Sequence, residues 1–143
     1  MNLSIATKPA PIAGNPINVA AAPRETNTLR DRMFDLALDL TQHDGQLEQF
    51  ERQGNTYPGR SWSDWYSNAS RRLSDATTLF AEQRPTGTSM VDALNGSVRE
   101  LAFSAGQTRV MGDHGIVFGY GWGRDLDGPI QDIRDALSYL DRA

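Results

Sequence analysis

The chain contains two histidines, His43 and His114, and each has an aspartate as its neighbour in the sequence. A histidine oriented by a carboxylate is a common general base in enzymes. Asp44 and Asp113 project away from these histidines on a regular helix or strand, so neither pair is predicted to form an acid–base dyad. The sequence GDHG around His114 favours an exposed turn residue instead. We therefore predict no catalytic residue.

The segment DLDG (125–128) is similar to the start of an EF-hand loop. Pro129 occupies the fifth position of that pattern, where an oxygen ligand is required, so the match fails. Asp127 as a helix N-cap, with Pro129 in the first turn, explains the same residues. The absence of cysteine and of a helical HExxH spacing excludes the usual zinc sites. The sequence predicts no metal and no cofactor.

The most unusual segment is HGIVFGYGWGRD (114–125). If it is a strand, alternate residues face opposite sides. One side is then apolar and aromatic, and the other is nearly bare backbone (Val117, Gly119, Gly121 and Gly123). Glycine within a strand often marks the close approach of another backbone or a ligand.

Three interpretations of the glycine face remain open. A helix of the same domain packs on it, a strand or loop of a partner protein lies on it, or it forms a phosphate cradle. No phosphate-binding motif is present, which disfavours the third interpretation. The predicted binding residues are Phe118, Gly119, Tyr120, Gly121, Trp122 and Gly123.

Helical spacing of apolar residues identifies the elements that must position this segment. A first helix is predicted over 28–43, with Thr28 and Asp31 as a capping box. Its apolar face includes Leu29, Met33, Leu36, Ala37 and Leu40, widened by Phe34 and Leu38. The pattern weakens at Gly45 and resumes at Leu47 and Phe50. This predicts one helix bent at Gly45, or two helices.

A second helix is predicted from Ser61 to about Gln83, and a third from Ser89 to a C-cap at Gly106. The apolar face of the second helix comprises Trp62, Trp65, Tyr66, Ala69, Leu73, Ala76 and Phe80. Its aromatic residues are interpreted as core, with an aromatic ligand platform as the alternative. On the third helix the shared face comprises Met90, Leu94, Val98, Leu101 and Ala105.

Two strand-like runs, QTRVM (107–111) and IVFGYGW (116–122), flank the turn GDHG and predict a β-hairpin. A last helix begins at Asp127, with Ile130, Ile133, Ala136, Leu137 and Leu140 on its apolar face. The predicted fold class is α+β and mainly α-helical, with four or five helices packed with one β-hairpin.

Residues 1–24 contain four prolines and six alanines and no acidic residue, which predicts a flexible arm. Residues 25–143 are predicted to form a single globular domain. The net charge is −4, so nothing points to a nucleic-acid partner. No apolar run approaches the length of a membrane span.

The arm resembles, in composition only, the export regions of type III secreted proteins. This resemblance implies a bacterial effector, made in the bacterial cytoplasm and secreted into a host cell, where it binds a host protein. The absence of cysteine suits a chain exported through a narrow channel. The alternative is a virion or other assembly subunit whose arm contacts a neighbour, and the third hypothesis is a small enzyme. Neither the partner nor the oligomeric state is identified.

Overall fold

The computed structural model describes residues 21–54, 56, 59–116 and 126–142, with side chains from residue 28 onward. This part of the chain contains four α-helices: α1 (Ala21–Gln53), α2 (Arg60–Gln83), α3 (Thr88–Asp113) and α4 (Asp127–Arg142). Each helix packs its backbone closely against two neighbours, whereas the described backbones of the diagonal pairs, α1–α3 and α2–α4, stay further apart. The helices therefore form an up-down-up-down four-helix bundle.

The buried side chains recur at intervals of seven residues, because two helical turns return a residue to nearly the same side. This period is typical of helices that pack side by side at a small crossing angle. The series are Leu29, Leu36 and His43 in α1; Tyr66, Leu73 and Phe80 in α2; Leu94, Leu101 and Thr108 in α3; and Ile133 and Leu140 in α4, preceded by Leu126 just before that helix.

Among the described helices, α2 and α3 share the most extensive contact. The hydroxyl of Ser70 on α2 donates a 2.9 Å hydrogen bond to the carbonyl oxygen of Val98 on α3. At one end of the pair, a Cβ placed on Gly59 would lie 3.6 Å from the Cα of Gly112. Small and hydroxyl-bearing residues let the two backbones come close, and the buried Ser63 and Thr77 on α2 continue this series.

The predicted apolar faces of α2 and α4 are confirmed, but part of the predicted face of α1 is wrong. Phe34 and Leu38 are 49% and 47% exposed and point away from the core. The helix also runs unbroken through Gly45, so this region is one helix and the predicted two-helix alternative is wrong. The sequence pattern is too wide because both residues lie just beyond the edge of the stripe that α2 and α4 cover.

The predicted capping box at Thr28 and the predicted first residues of α2 and α3 are also wrong. Thr28 lies inside α1, and the helix N-caps of α2 and α3 are Gly59 and Gly87, neither with a side-chain cap. Ser61 and Ser89 are instead the second residues of their helices. Boundaries displaced by one or two residues are common, because the first turn satisfies its N–H groups in several ways.

The predicted β-hairpin is wrong, and with it the α+β fold class: the described residues contain helices and no sheet. The first predicted strand, 107–111, forms the last turns of α3. Thr108 is fully buried, seven residues after Leu101, so core packing extends the helix through residues with strand preference. The second predicted strand, 116–122, lies outside the described residues except for Ile116.

The true end of α3 is Asp113, so the predicted C-cap at Gly106 is wrong. Gly115 adopts a left-handed conformation with φ +65°. Its N–H donates to Gly112 at 3.1 Å, and the N–H of Ile116 donates to Met111 at 3.0 Å. These paired bonds form a Schellman motif, which satisfies the last carbonyl groups of the helix.

The helix α4 begins midway along α3. A Cβ placed on Gly128 would lie 3.2 Å from the Glu100 carboxylate, and Ser97 donates a 2.7 Å hydrogen bond to Asp132. Residues 102–113 of α3 therefore extend past the first residue of α4. At the other end of the chain, α1 begins at Ala21, while residues 1–20 lie outside the described residues. The flexible arm stays a prediction for residues 1–20, whereas residues 21–24, which were predicted to belong to it, are helical.

Candidate interaction surface

The predicted binding residues Phe118, Gly119, Tyr120, Gly121, Trp122 and Gly123 all lie outside the described residues. The structure places the two ends of their segment. Ile116 is 44% exposed beyond the end of α3, and Leu126 is fully buried at the start of α4. The three interpretations of the glycine face therefore remain predictions.

The outer face of α3 carries the most exposed large apolar side chains among the described residues. Phe103 is 64% exposed and Val110 is 57% exposed. A shallow groove of about 420 Å³ runs beside them, and its lining includes Ala102, Gly106 and Met111. Contiguous apolar surface of this kind marks protein interaction sites more often than isolated apolar residues do.

This outer face has a regular spacing. Its residues follow one another at intervals of three and four, as on one side of a helix that packs on another helix. We call this series the outer seam of α3: Gly96, Arg99, Phe103, Gly106, Val110 and Asp113. Apart from the half-buried Gly96, all its members are exposed. Arg99 and Asp113 make no ion pair within the described part of the chain.

The outer seam is not apparent from the predicted elements, because the predicted third helix ends at Gly106. That helix contains Phe103, whereas Val110 falls in the predicted strand 107–111. Once α3 extends to Asp113, both residues lie on one face. A seven-residue count from Phe103 to Val110, continued across Gly106, is the signal that would have found it.

A second, smaller apolar patch lies on α1, where the exposed Phe34 and Leu38 are one turn apart. Asp31 and Asp35 flank them. Partial burial, and then repulsion from Asp35, raise the pKa of Asp31 above its ordinary value. The charge of Arg30 opposes this rise, so the patch combines two apolar side chains with neighbouring charged groups of both signs.

The most unusual buried polar group is His43, on the inner side of α1. Its ring lies 3.8 Å from that of Trp65, centroid to centroid, with 13° between the planes. Trp62 and Tyr66 contact it edge-on, with centroids 5.0 Å and 5.2 Å away. The aromatic residues predicted as core thus surround a histidine, and Tyr66 is itself buried.

His43 is 4% exposed, and its Nε2 has no hydrogen-bond partner among the described residues. Burial lowers the pKa of His43 to about 4, against a hydrogen bond with Gln46 that raises it. The ring is therefore neutral at physiological pH. A neutral histidine stacked on Trp65 stabilises the α1–α2 contact as an aromatic group rather than as a charge.

His114, in contrast, is exposed at the C-terminal end of α3. Its Nδ1 lies 2.8 Å from the carbonyl oxygen of Val110, so the ring contacts the last turn of the helix. The prediction of an exposed turn residue is confirmed. Within the described ranges, no three His, Asp or Glu side chains are grouped so that they could hold a metal ion.

Two surface ion pairs join the helices. Arg30 on α1 contacts Asp141 on α4 at 2.7 Å, and Arg72 on α2 contacts Asp39 on α1 at the same distance. The hydrogen bond with Arg30 holds the pKa of Asp141 below its ordinary value. Arg72 therefore links α2 to α1 at the surface of the bundle.

Comparison with protein-family models, with curated proteins and with solved structures gives no match to this chain. The geometry of the described residues is thus the basis for any functional argument. No helix in these ranges combines the length and apolar character that crossing a bilayer requires.

Proposed function

We propose that this chain is a protein-binding domain without catalytic activity and that it recognises its partner through the outer seam of α3. The observation that carries this proposal is the exposure of Phe103 and Val110 on one face of a helix whose opposite face is fully packed. Large apolar side chains surrounded by charged groups are typical of the centres of protein interfaces. Arg99 and Asp113 supply those charged groups.

The first candidate role is that of a secreted bacterial effector that binds a host protein. The acid-free, proline- and alanine-rich residues 1–24 and the absence of cysteine support this role. A small helical bundle is also suited to presenting one helix as a recognition element. The host protein would offer a groove or a helix with apolar residues opposite Phe103.

The second candidate role is that of an assembly subunit, such as a virion component. A specific observation favours it: the outer seam alternates large and small residues, Phe103 and Val110 beside Gly106. Such a surface fits a repeated, geometrically defined neighbour.

A photo-crosslinking amino acid at position 103 of the full chain tests the proposal. The matched control carries the same group at position 82, an exposed residue at the end of α2. We expect discrete protein adducts from position 103 alone, followed by identification of the attached protein. A host protein would support the effector role, and a protein of the producing organism or a second copy would support the assembly role. Equal labelling from both positions would overturn the proposal.

A further inference from the structure

The spacing of the outer seam is that of a helix that packs along another helix, yet every described neighbour of α3 lies on its other sides. We infer that the outer seam pairs with the outer seam of a second copy of this chain, as an antiparallel pair of α3 helices. This inference rests on the proposed function and names its partner. It also favours the assembly role.

Size complementarity supports the antiparallel register. The seam residues occupy alternately the a and d positions of a heptad, and in an antiparallel helix pair an a residue of one helix faces a d residue of the other. This places Phe103 opposite Gly106 of the second copy. The two-fold axis generates this layer twice, at the centre of the contact. A Cβ placed on Gly106 would have no atom within 4 Å, so the space above this glycine is open to a ring.

Charge complementarity supports the same register. The next layer on each side places Arg99 opposite Val110 of the second copy. The aliphatic part of the arginine then covers the valine, and its guanidinium reaches Asp113 one turn further along. A parallel pair would instead place Arg99 against Arg99, which repels. Only the antiparallel pair gives both charged residues an opposite partner.

The first experiment measures the mass of the purified full chain by analytical ultracentrifugation over a series of concentrations. We expect a reversible monomer–dimer equilibrium with no larger species, because a two-fold contact closes on itself. Phe103→Glu places charges at the central layers and should leave only monomer. Leu38→Glu, which changes the apolar patch on α1, is the matched control and should dimerise like the unmodified chain.

The second experiment tests the register. Arg99→Asp and Asp113→Arg should each raise the dissociation constant about tenfold or more, because each brings like charges together. The combined variant restores opposite charges and should recover most of the original affinity. Circular dichroism of each variant checks that it is folded. We expect folding to be unaffected, because all these positions are exposed.

The outcomes separate this inference from the proposed function. A chain that stays monomeric at every concentration, while position 103 crosslinks to a different protein, would overturn the second-copy inference and leave the proposed function standing. A dimer that survives Phe103→Glu, or in which Arg99→Asp has no effect, would also overturn the inference. A monomer whose position 103 gives no adduct would overturn both.

Discussion

The two sides of α3 share a seven-residue spacing of their packing residues, but one side is buried and the other is exposed. On the inner side, Leu94, Leu101 and Thr108 follow one another every seven residues and are buried. On the outer side, Phe103 and Val110 are also seven residues apart and are exposed. Apolar periodicity therefore indicates which residues are able to form a packed face, whereas the positions of the neighbouring helices determine which of these residues are buried.

This comparison also shows how one helix both stabilises the bundle and carries the surface proposed for recognition. The inner side of α3 contacts α2 and α4, and its buried side chains anchor the helix to the bundle. The outer side belongs to the same anchored helix and does not contribute to the core. A rigid, exposed helix face loses little conformational freedom on binding, which favours affinity.

The largest effect is expected for the inner side. Leu101→Ala removes a fully buried side chain and leaves a cavity, so the free energy of unfolding should fall by about 2–5 kcal/mol. Urea denaturation followed by circular dichroism measures this change. A loss below about 1 kcal/mol would show that the inner side is loosely packed and would remove the contrast with the outer side.

The next effect concerns the buried His43. In the folded chain its pKa is about 4, and in the unfolded chain it is close to 6.5. Its contribution is constant above pH 6.5. Between pH 6.5 and 4 only the unfolded chain binds the proton, so the free energy of unfolding falls by about 1.4 kcal/mol per pH unit, or about 3 kcal/mol in total.

His43→Phe is the control for this pH dependence, because it keeps an aromatic ring beside Trp65 without a titrating group. Subtracting its stability at each pH removes the contribution of the carboxylates. If the difference between the two proteins is the same at pH 7 and pH 4, then the folded and unfolded chains bind the proton of His43 equally, and the lowered pKa of this residue is wrong.

Smaller effects, of opposite sign to each other, are expected at Gly106 within α3 and at Gly115 just after its end. Gly115 has φ +65°, so Gly115→Ala should destabilise the protein by about 1–2 kcal/mol. Gly106 lies inside the helix with open space around it, so Gly106→Ala should stabilise the dilute monomer by about 0.5–1 kcal/mol. Thermal melts of the pair measure both changes. Stabilisation by Gly115→Ala would place the end of the helix elsewhere.

The smallest effect is expected for Phe103→Ala in dilute monomer. Because this side chain is 64% exposed, the free energy of unfolding should change by less than about 0.5 kcal/mol. Measured beside Leu101→Ala, it quantifies the difference between the two sides of α3. A loss comparable to that of Leu101→Ala would mean that Phe103 is covered within the monomer.

The candidate surface was partly accessible from the sequence. The helical character of 88–106, and the core positions Leu94 and Leu101, follow from spacing alone. Val110 could not be placed, because valine and threonine near Gly106 have local strand preference, and glycine is a common helix end. Only burial of Thr108 between neighbouring helices identifies the segment as helix and turns Val110 outward beside Phe103.

The helices with unbroken apolar faces, α2 and α4, are predictable from the amino-acid pattern, because its period leaves one side of each helix to bury. The turn at His114 is equally predictable, since aspartate and glycine flank it. The folded structure is needed to show that residues 107–111 are helical and that His43 is buried against Trp65. In each case the local preference is weak, and long-range packing outweighs it.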